Sequence, residues 1–157
     1  MSQRHRIVAT SGMLVAFLLA LLFTGCGSPA EEDTQAVDGV VALGGKILRD
    51  DNMPGKPVIS VEFTKVTDAG LKEVAGLKSL KTLNLAGTQV TDVGLKELAG
   101  LQRLATLNLS HTQVTDAGLK ALVAVKNLHR LDLTGTQVTD EGAAELRKSL
   151  RYCEIVR

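Results

Sequence analysis

The chain has 157 residues, 45% of them apolar and 22% charged, with a formal charge of +1. Without the segment 1–25, read below as a transport signal, it loses two of its 18 basic residues and none of its 17 acidic ones. What remains has one more acidic than basic side chain, a formal charge of −1, and this balance does not select nucleic acid. Two cysteines are too few for a disulfide framework, so no disulfide-linked partner is expected.

Arg4 and Arg6 precede an apolar run from Ile7 to Phe23, which ends in Leu22-Phe23-Thr24-Gly25-Cys26. A basic start, an apolar middle and a small residue before the cut are the features of a secretory signal over residues 1–25. The end of the run resembles a bacterial lipobox, with Phe23 where Leu is usual. That resemblance implies that the Cys26 thiol receives a lipid and becomes the first mature residue. The same run also reads as an uncleaved transmembrane anchor, although it is short, includes Thr10, Ser11 and Gly12, and a span needs ~20 residues. In both readings the positive flank stays inside and the rest of the chain lies outside the cytoplasm. Residues 26–35, with Ser28, Pro29 and three acids, are expected to be a short tether.

Residues 36–65 read as an N-terminal cap and first strand. Val37, Val40, Val41 and Leu43 make an apolar helix face stopped by Gly44-Gly45. Lys46 to Asp50 suit a short strand, and Asp51-Asn52-Met53-Pro54-Gly55 a turn. The first strand then follows in Val58-x-x-Val61-x-Phe63, with only Thr64 and Lys65 between Phe63 and Val66, a shorter link than in later copies.

Residues 66–137 are three copies of a 24-residue block beginning Val-Thr-Asp-x-Gly, at Val66, Val90 and Val114. Leu83 and Leu85, Leu107 and Leu109, and Leu131 and Leu133 alternate with polar residues, as a strand with one buried face requires. Leu71 with Val74, Leu95 with Leu98, and Leu119 with Leu122 stand three apart behind Thr-Asp pairs and predict short helices. Either the Thr or the Asp of each pair suits the helix N-cap. Gly76 and Gly100 are expected as left-handed C-caps, and Ala124 replaces them in the third copy. One strand and one helix per block, each with an apolar face that only a neighbour can cover, predict an α/β right-handed solenoid. It would have a parallel sheet of about five short strands on the concave face and short helices on the convex face.

Residues 138–157 depart from the block and read as a capping repeat. Leu150-x-x-Cys153-x-Ile155 fits the strand template, which makes Cys153 and Ile155 inward and the last repeat two positions short. Arg147, Lys148, Arg151 and Arg157 keep that edge charged.

The LxxLxLxxTxVTDxGL pattern resembles the leucine-rich repeat superfamily, in particular bacterial leucine-rich-repeat lipoproteins, and the likeness runs from about Val37 onward. Most of that superfamily has Asn or Cys where this chain has Thr88, Thr112 and Thr136. A threonine ladder bonded to backbone groups is therefore expected in the turns. The resemblance implies a non-enzymatic interaction module, exported and membrane-anchored through Cys26 in the bacterial cell envelope. A scaffold or spacer without a ligand is the structural alternative, and a hydrolase of envelope polymers a third.

No catalytic, metal or cofactor constellation stands in the sequence: after the signal, His111 and His129 have no second ligand at metal spacing. The candidate site is the outward face of the sheet. The spacing predicts a central column of Glu62, Asn84, Asn108, Asp132 and Glu154, with Arg130 and Tyr152 in a flanking column beside Ser60, Thr82 and Thr106. Thr64, Ala86, Ser110, Thr134 and Val156 form the other flank. Such a face suits an envelope protein, a peptide or a glycan. Its area, on the order of 200 Å² from strand spacing, is well short of the ~800 Å² per partner of a standard interface.

Overall fold

The structure, a computed structural model, describes residues 29–157. The signal segment and Cys26 lie outside the described residues. Helix α1 (Pro29–Ala42) and strand β1 (Lys46–Arg49) open the described chain. Then come β2 (Val58–Glu62), α2 (Leu71–Val74), β3 (Thr82–Asn84), α3 (Asp92–Leu95) and β4 (Thr106–Asn108). The series ends with α4 (Asp116–Leu122), β5 (Arg130–Asp132), α5 (Asp140–Ser149) and β6 (Glu154–Val156). Among the described residues no helix is long and apolar enough to cross a membrane. The last seven of the ten residues expected as a tether, 29–35, are helical, as part of α1.

The six strands form one sheet in chain order. Strands β2 to β6 are parallel, as repeated strand-helix units require. Strand β1 is antiparallel to β2, with Lys46 opposite Glu62, Ile47 opposite Val61 and Leu48 opposite Ser60. The sheet is thus one strand wider than the repeat pattern alone provides. Its inner side is the core: Leu83, Leu85, Leu107, Leu109, Leu131 and Leu133 are fully buried, together with the helix residues Leu71, Val74, Leu95, Leu98 and Leu122. Each such side chain contributes about 1.5–3 kcal/mol by leaving water, and none can do so without the adjacent repeat.

The Val-Thr-Asp-x-Gly motif is a joint between repeats. Asp68 Oδ1 accepts the Thr91 backbone N–H at 2.7 Å and Oδ2 accepts the Thr91 hydroxyl at 2.6 Å. Asp92 holds Thr115 in the same way, at 2.8 and 2.7 Å, and Asp116 holds Thr139 at 2.8 and 2.7 Å. The threonine, not the aspartate, is the cap: Thr91, Thr115 and Thr139 hydroxyls accept from Val93, Ala117 and Gly142 backbone N–H groups. The motif glycine follows from the same joint, because a Cβ at Gly94, Gly118 or Gly142 would overlap the carboxylate of Asp68, Asp92 or Asp116. Thr67 has no such partner: no repeat precedes it, the Leu43 side chain lies against Gly70 where a carboxylate lies against the later motif glycines, and the Thr67 side chain makes no cap bond.

Two expectations about turns need correction. Gly76 and Gly100 are not left-handed; the left-handed residues of the repeats are Gly87, His111 and Gly135, in the turn after each strand. Gly76 is needed instead because a Cβ there would press on the Ala36 side chain of α1. The Thr88, Thr112 and Thr136 hydroxyls do bond to backbone, donating to the Leu85, Leu109 and Leu133 carbonyls at 2.6, 2.6 and 2.7 Å. Each bond closes its own turn, so the ladder from repeat to repeat is carried by aspartate.

Candidate functional site

The sheet's outward face is built by parity: residues between the buried leucines point away from the helices. Registers align Lys46, Glu62, Asn84, Asn108, Asp132 and Val156 in one column. Beside it run Leu48, Ser60, Thr82, Thr106, Arg130 and Glu154. The structure thus brings together Glu62, Asn84, Asn108 and Asp132 as the spacing predicts, with Arg130 in the flanking column.

The expected last strand is wrong by two positions. Ile155 pairs with Leu131 and Glu154 with Arg130, so Glu154 sits in the flanking column and Val156 takes the central place. Tyr152 lies before β6, 90% exposed and outside both columns. Cys153 is half-buried against the core instead of being an inward strand residue. Burial pushes its thiol up to about 11, with Glu154 adding to the shift, so it stays protonated at neutral pH. The physical reason is length: from Leu131 to Ile155 the chain keeps the full turn of the interior repeats, which lets the Glu154 N–H reach the His129 carbonyl at 2.7 Å.

Lys46 and Leu48 are face residues that the repeat template does not contain, since β1 precedes the first copy. Their only sequence signal is the Lys-Ile-Leu-Arg strand ahead of the turn at Asp51–Gly55, where two adjacent apolar residues leave the parity open.

The middle of the face is neutral and half-buried, made by Thr82, Asn84, Thr106 and Asn108. Asn84 Oδ1 accepts the Ala86 N–H at 3.1 Å and Asn108 Oδ1 accepts the Ser110 N–H at 2.9 Å. With their oxygens bonded to the backbone, both amides keep Nδ2 donors that have no hydrogen-bond partner among the described residues, on strands about 4.8 Å apart. Asp132 makes the same turn, accepting the Thr134 N–H at 2.9 Å. The Thr134 hydroxyl and N–H, with smaller help from Arg130 and His111, hold its carboxyl below the ordinary aspartate range. Arg130 reaches across to Glu154 at 3.3 Å. The row therefore reads donor, donor, acceptor, with Glu62 before it and Val156 after it.

His111 stands beside this row. It has φ +56° where Gly87 and Gly135 have +69° and +70°, a conformation that disfavours a side chain. Its ring lies over Gly135, which has no Cβ to obstruct it. His129 is on the opposite edge of the sheet, with Nδ1 2.5 Å from the Asn127 carbonyl.

The leucine rich repeat family matches residues 78–138. No curated protein matches the chain. Among solved structures, a leucine-rich-repeat protein of Leptospira interrogans is 30% identical over 55% of this chain and 21% of its own, with a TM-score of 0.47. An internalin of Listeria monocytogenes is 22% identical over 62% of this chain and 34% of its own, TM-score 0.44. Internalin C2 of the same organism is 22% identical over 82% and 66%, TM-score 0.43. The chain spans about a fifth and a third of the first two proteins. The match falls on the central repeats, and the coil they form with their neighbours has the architecture of a leucine-rich-repeat solenoid.

Proposed function

We propose that the protein is a non-enzymatic interaction module, held by a lipid on Cys26 at the membrane of the bacterial cell envelope, that takes an envelope protein or peptide on its outward sheet face. The observation that carries this reading is the orientation of Asn84 and Asn108. Their backbone bonds fix two unspent amide donors on neighbouring strands, which suits carbonyl groups of an extended chain. Preorganised donors bind without the entropy loss of ordering a free side chain. The face alone is too small for tight protein binding, so the partner also covers the turns around His111 and Gln113.

The test separates donors from fold. Asn84→Asp with Asn108→Asp keeps each backbone-bonded oxygen and removes each amide donor. A photo-reactive residue at Thr106, used in intact cells, is expected to give one defined adduct that the double variant loses while its thermal unfolding stays cooperative. No adduct, or the same adduct in a folded double variant, overturns the reading of this face. Failure of Cys26→Ser to abolish labelling by a fatty-acid analogue overturns the lipid anchor separately.

A further inference from the structure

The two long edges of the solenoid differ in charge. The helix-to-strand turns, residues 75–82, 99–106, 123–130 and 147–154, contain one acid, Glu154, which pairs with Arg130. They expose Lys78, Lys81, Arg103, Lys126 and Arg151, none of which is in an ion pair among the described residues. The strand hydrogen bonds stack these turns: Ala105 N–H reaches the Lys81 carbonyl at 2.8 Å and His129 N–H the Ala105 carbonyl at 2.8 Å. The Asn127 side chain bonds to the Gln102 carbonyl. The cations therefore form one ridge, with neighbouring turns about 4.8 Å apart. The opposite edge carries Asp68, Asp92, Asp116 and Asp140.

Helix α1 shows which edge faces the N-terminus. Cβ atoms placed at Gly70, Gly76 and Gly39 would touch Leu43, Ala36 and Glu73 respectively. So α1 runs antiparallel to α2, and its start projects past Gly76 on the basic side. From Ala36 back to Pro29 a helix rises about 10 Å, and the link back to Cys26 adds at most about 11 Å. A lipid on Cys26 would therefore be held within about 11 Å of the start of α1, on the side of the ridge.

We propose that this ridge docks on the anionic phospholipid headgroups of the membrane that holds the N-terminus. The proposal rests on the membrane-anchoring part of the function proposed above. The helix overhang of α1 is comparable to the Debye length of about 8–10 Å at physiological salt, so the ridge lies within reach of the surface potential. Glu31, Glu32 and Asp33 come between attachment and ridge in the sequence, and they oppose part of the attraction. The contact is therefore salt-sensitive. In this posture the strands, which start at the ridge, point away from the bilayer, and the outward face stands open from the side.

The experiment uses the acylated full chain on phosphatidylcholine vesicles with or without phosphatidylglycerol, in a Cys153→Ser background. A fluorophore is placed at Gln102→Cys on the ridge or at Gln113→Cys on the opposite edge, and quenching by a headgroup nitroxide lipid is read. With phosphatidylglycerol, the Gln102 label is expected to be quenched several-fold more than the Gln113 label. That ratio should fall towards one in high salt, in neutral vesicles and in the K78Q/R103Q/K126Q/R151Q variant, whose melting is expected to match wild type. Flotation of the chain with equal quenching at the two sites overturns the proposal alone. So does a bias that persists undiminished in neutral vesicles or in the charge variant, since the helix would then set the posture without the ridge. Absence of flotation with either vesicle overturns the anchoring reading and the proposal together.

Discussion

The interior joints and the two ends of the solenoid use the same residues to different effect. Asp68, Asp92 and Asp116 each bond twice to the threonine of the following repeat. At the ends the pattern is incomplete: Thr67 has no aspartate before it, and Asp140 is held by Arg157 instead of a threonine. A motif that looks uniform in sequence therefore has a value set by its neighbours. The interior copies are cross-linked on both sides, and the end copies on one.

The largest break in this comparison is expected in the core. Leu107, fully buried between two repeats, should cost about 2–5 kcal/mol on replacement by Ala, against the roughly 5–15 kcal/mol that holds a whole domain together. Ile155, which has a repeat on one side and is slightly exposed, should cost less than half as much. Denaturant titration of the two variants decides it, and equal losses would mean that β6 is as enclosed as β4.

A smaller effect separates the joints themselves. Asp92→Ala leaves the Thr115 N–H and hydroxyl without their carboxylate, a loss of about 1.5–3 kcal/mol for hydrogen bonds to a charged group. Asp140→Ala removes an exposed ion pair with Arg157, for which under about 1 kcal/mol is expected. Chemical unfolding of both variants alongside wild type gives the difference directly, and a cost at Asp140 matching that at Asp92 would show that the end is stapled as firmly as the interior.

The smallest effect is in pH. The Thr139 hydroxyl and N–H hold the Asp116 carboxyl below the ordinary aspartate range, with burial opposing and Arg157 adding to the shift. A carboxyl whose folded value lies below its unfolded one stabilises fully above the unfolded value, near pH 4, and loses that contribution as pH falls through the folded value. Asp116→Asn should therefore flatten part of the acid limb of the stability curve. An acid titration followed by circular dichroism with superimposable limbs would show that this joint does not titrate with folding.

Much of the fold was legible because the spacing of apolar residues fixes which side faces inward. Leu83, Leu107 and Leu131 had to be buried once alternation placed them on one face of a strand, and the constant repeat period made those strands neighbours. The same rule fails at β6 for an identifiable reason. A shift of two positions preserves parity, so Leu150-x-x-Cys153-x-Ile155 and a full repeat period from Leu131 both turn Ile155 inward, and only the backbone bonds of the full-length turn choose between them. β1 was expected as a strand, but its antiparallel pairing, and hence Lys46 and Leu48 on the face, depends on a hairpin outside the repeat. In the candidate site, parity placed Asn84, Asn108 and Asp132 side by side. It did not reveal that each carbonyl or carboxylate oxygen bends back to its own strand, which decides that the two asparagines offer donors. The choice between threonine and aspartate as helix cap was open for a similar reason, because the aspartate's partner lies in the next repeat.

That separation has a consequence for how the molecule can change length. Each joint links an aspartate to the threonine one repeat later, and the glycine that makes room for the carboxylate travels in the same block. Excising residues 90–113 as a unit would set Thr115 where Thr91 stands, facing Asp68, with Gly118 in the place of Gly94. Every hydrogen bond and every clearance would be re-formed. Removing a single residue from the same stretch would instead offset a carboxylate from its threonine and push it towards a backbone with no gap to receive it. Where aspartate joints bind the repeats, the solenoid should thus tolerate whole-block gain or loss and not anything between, a ruler graduated in steps of one repeat; the shorter first link lies before the first of these joints.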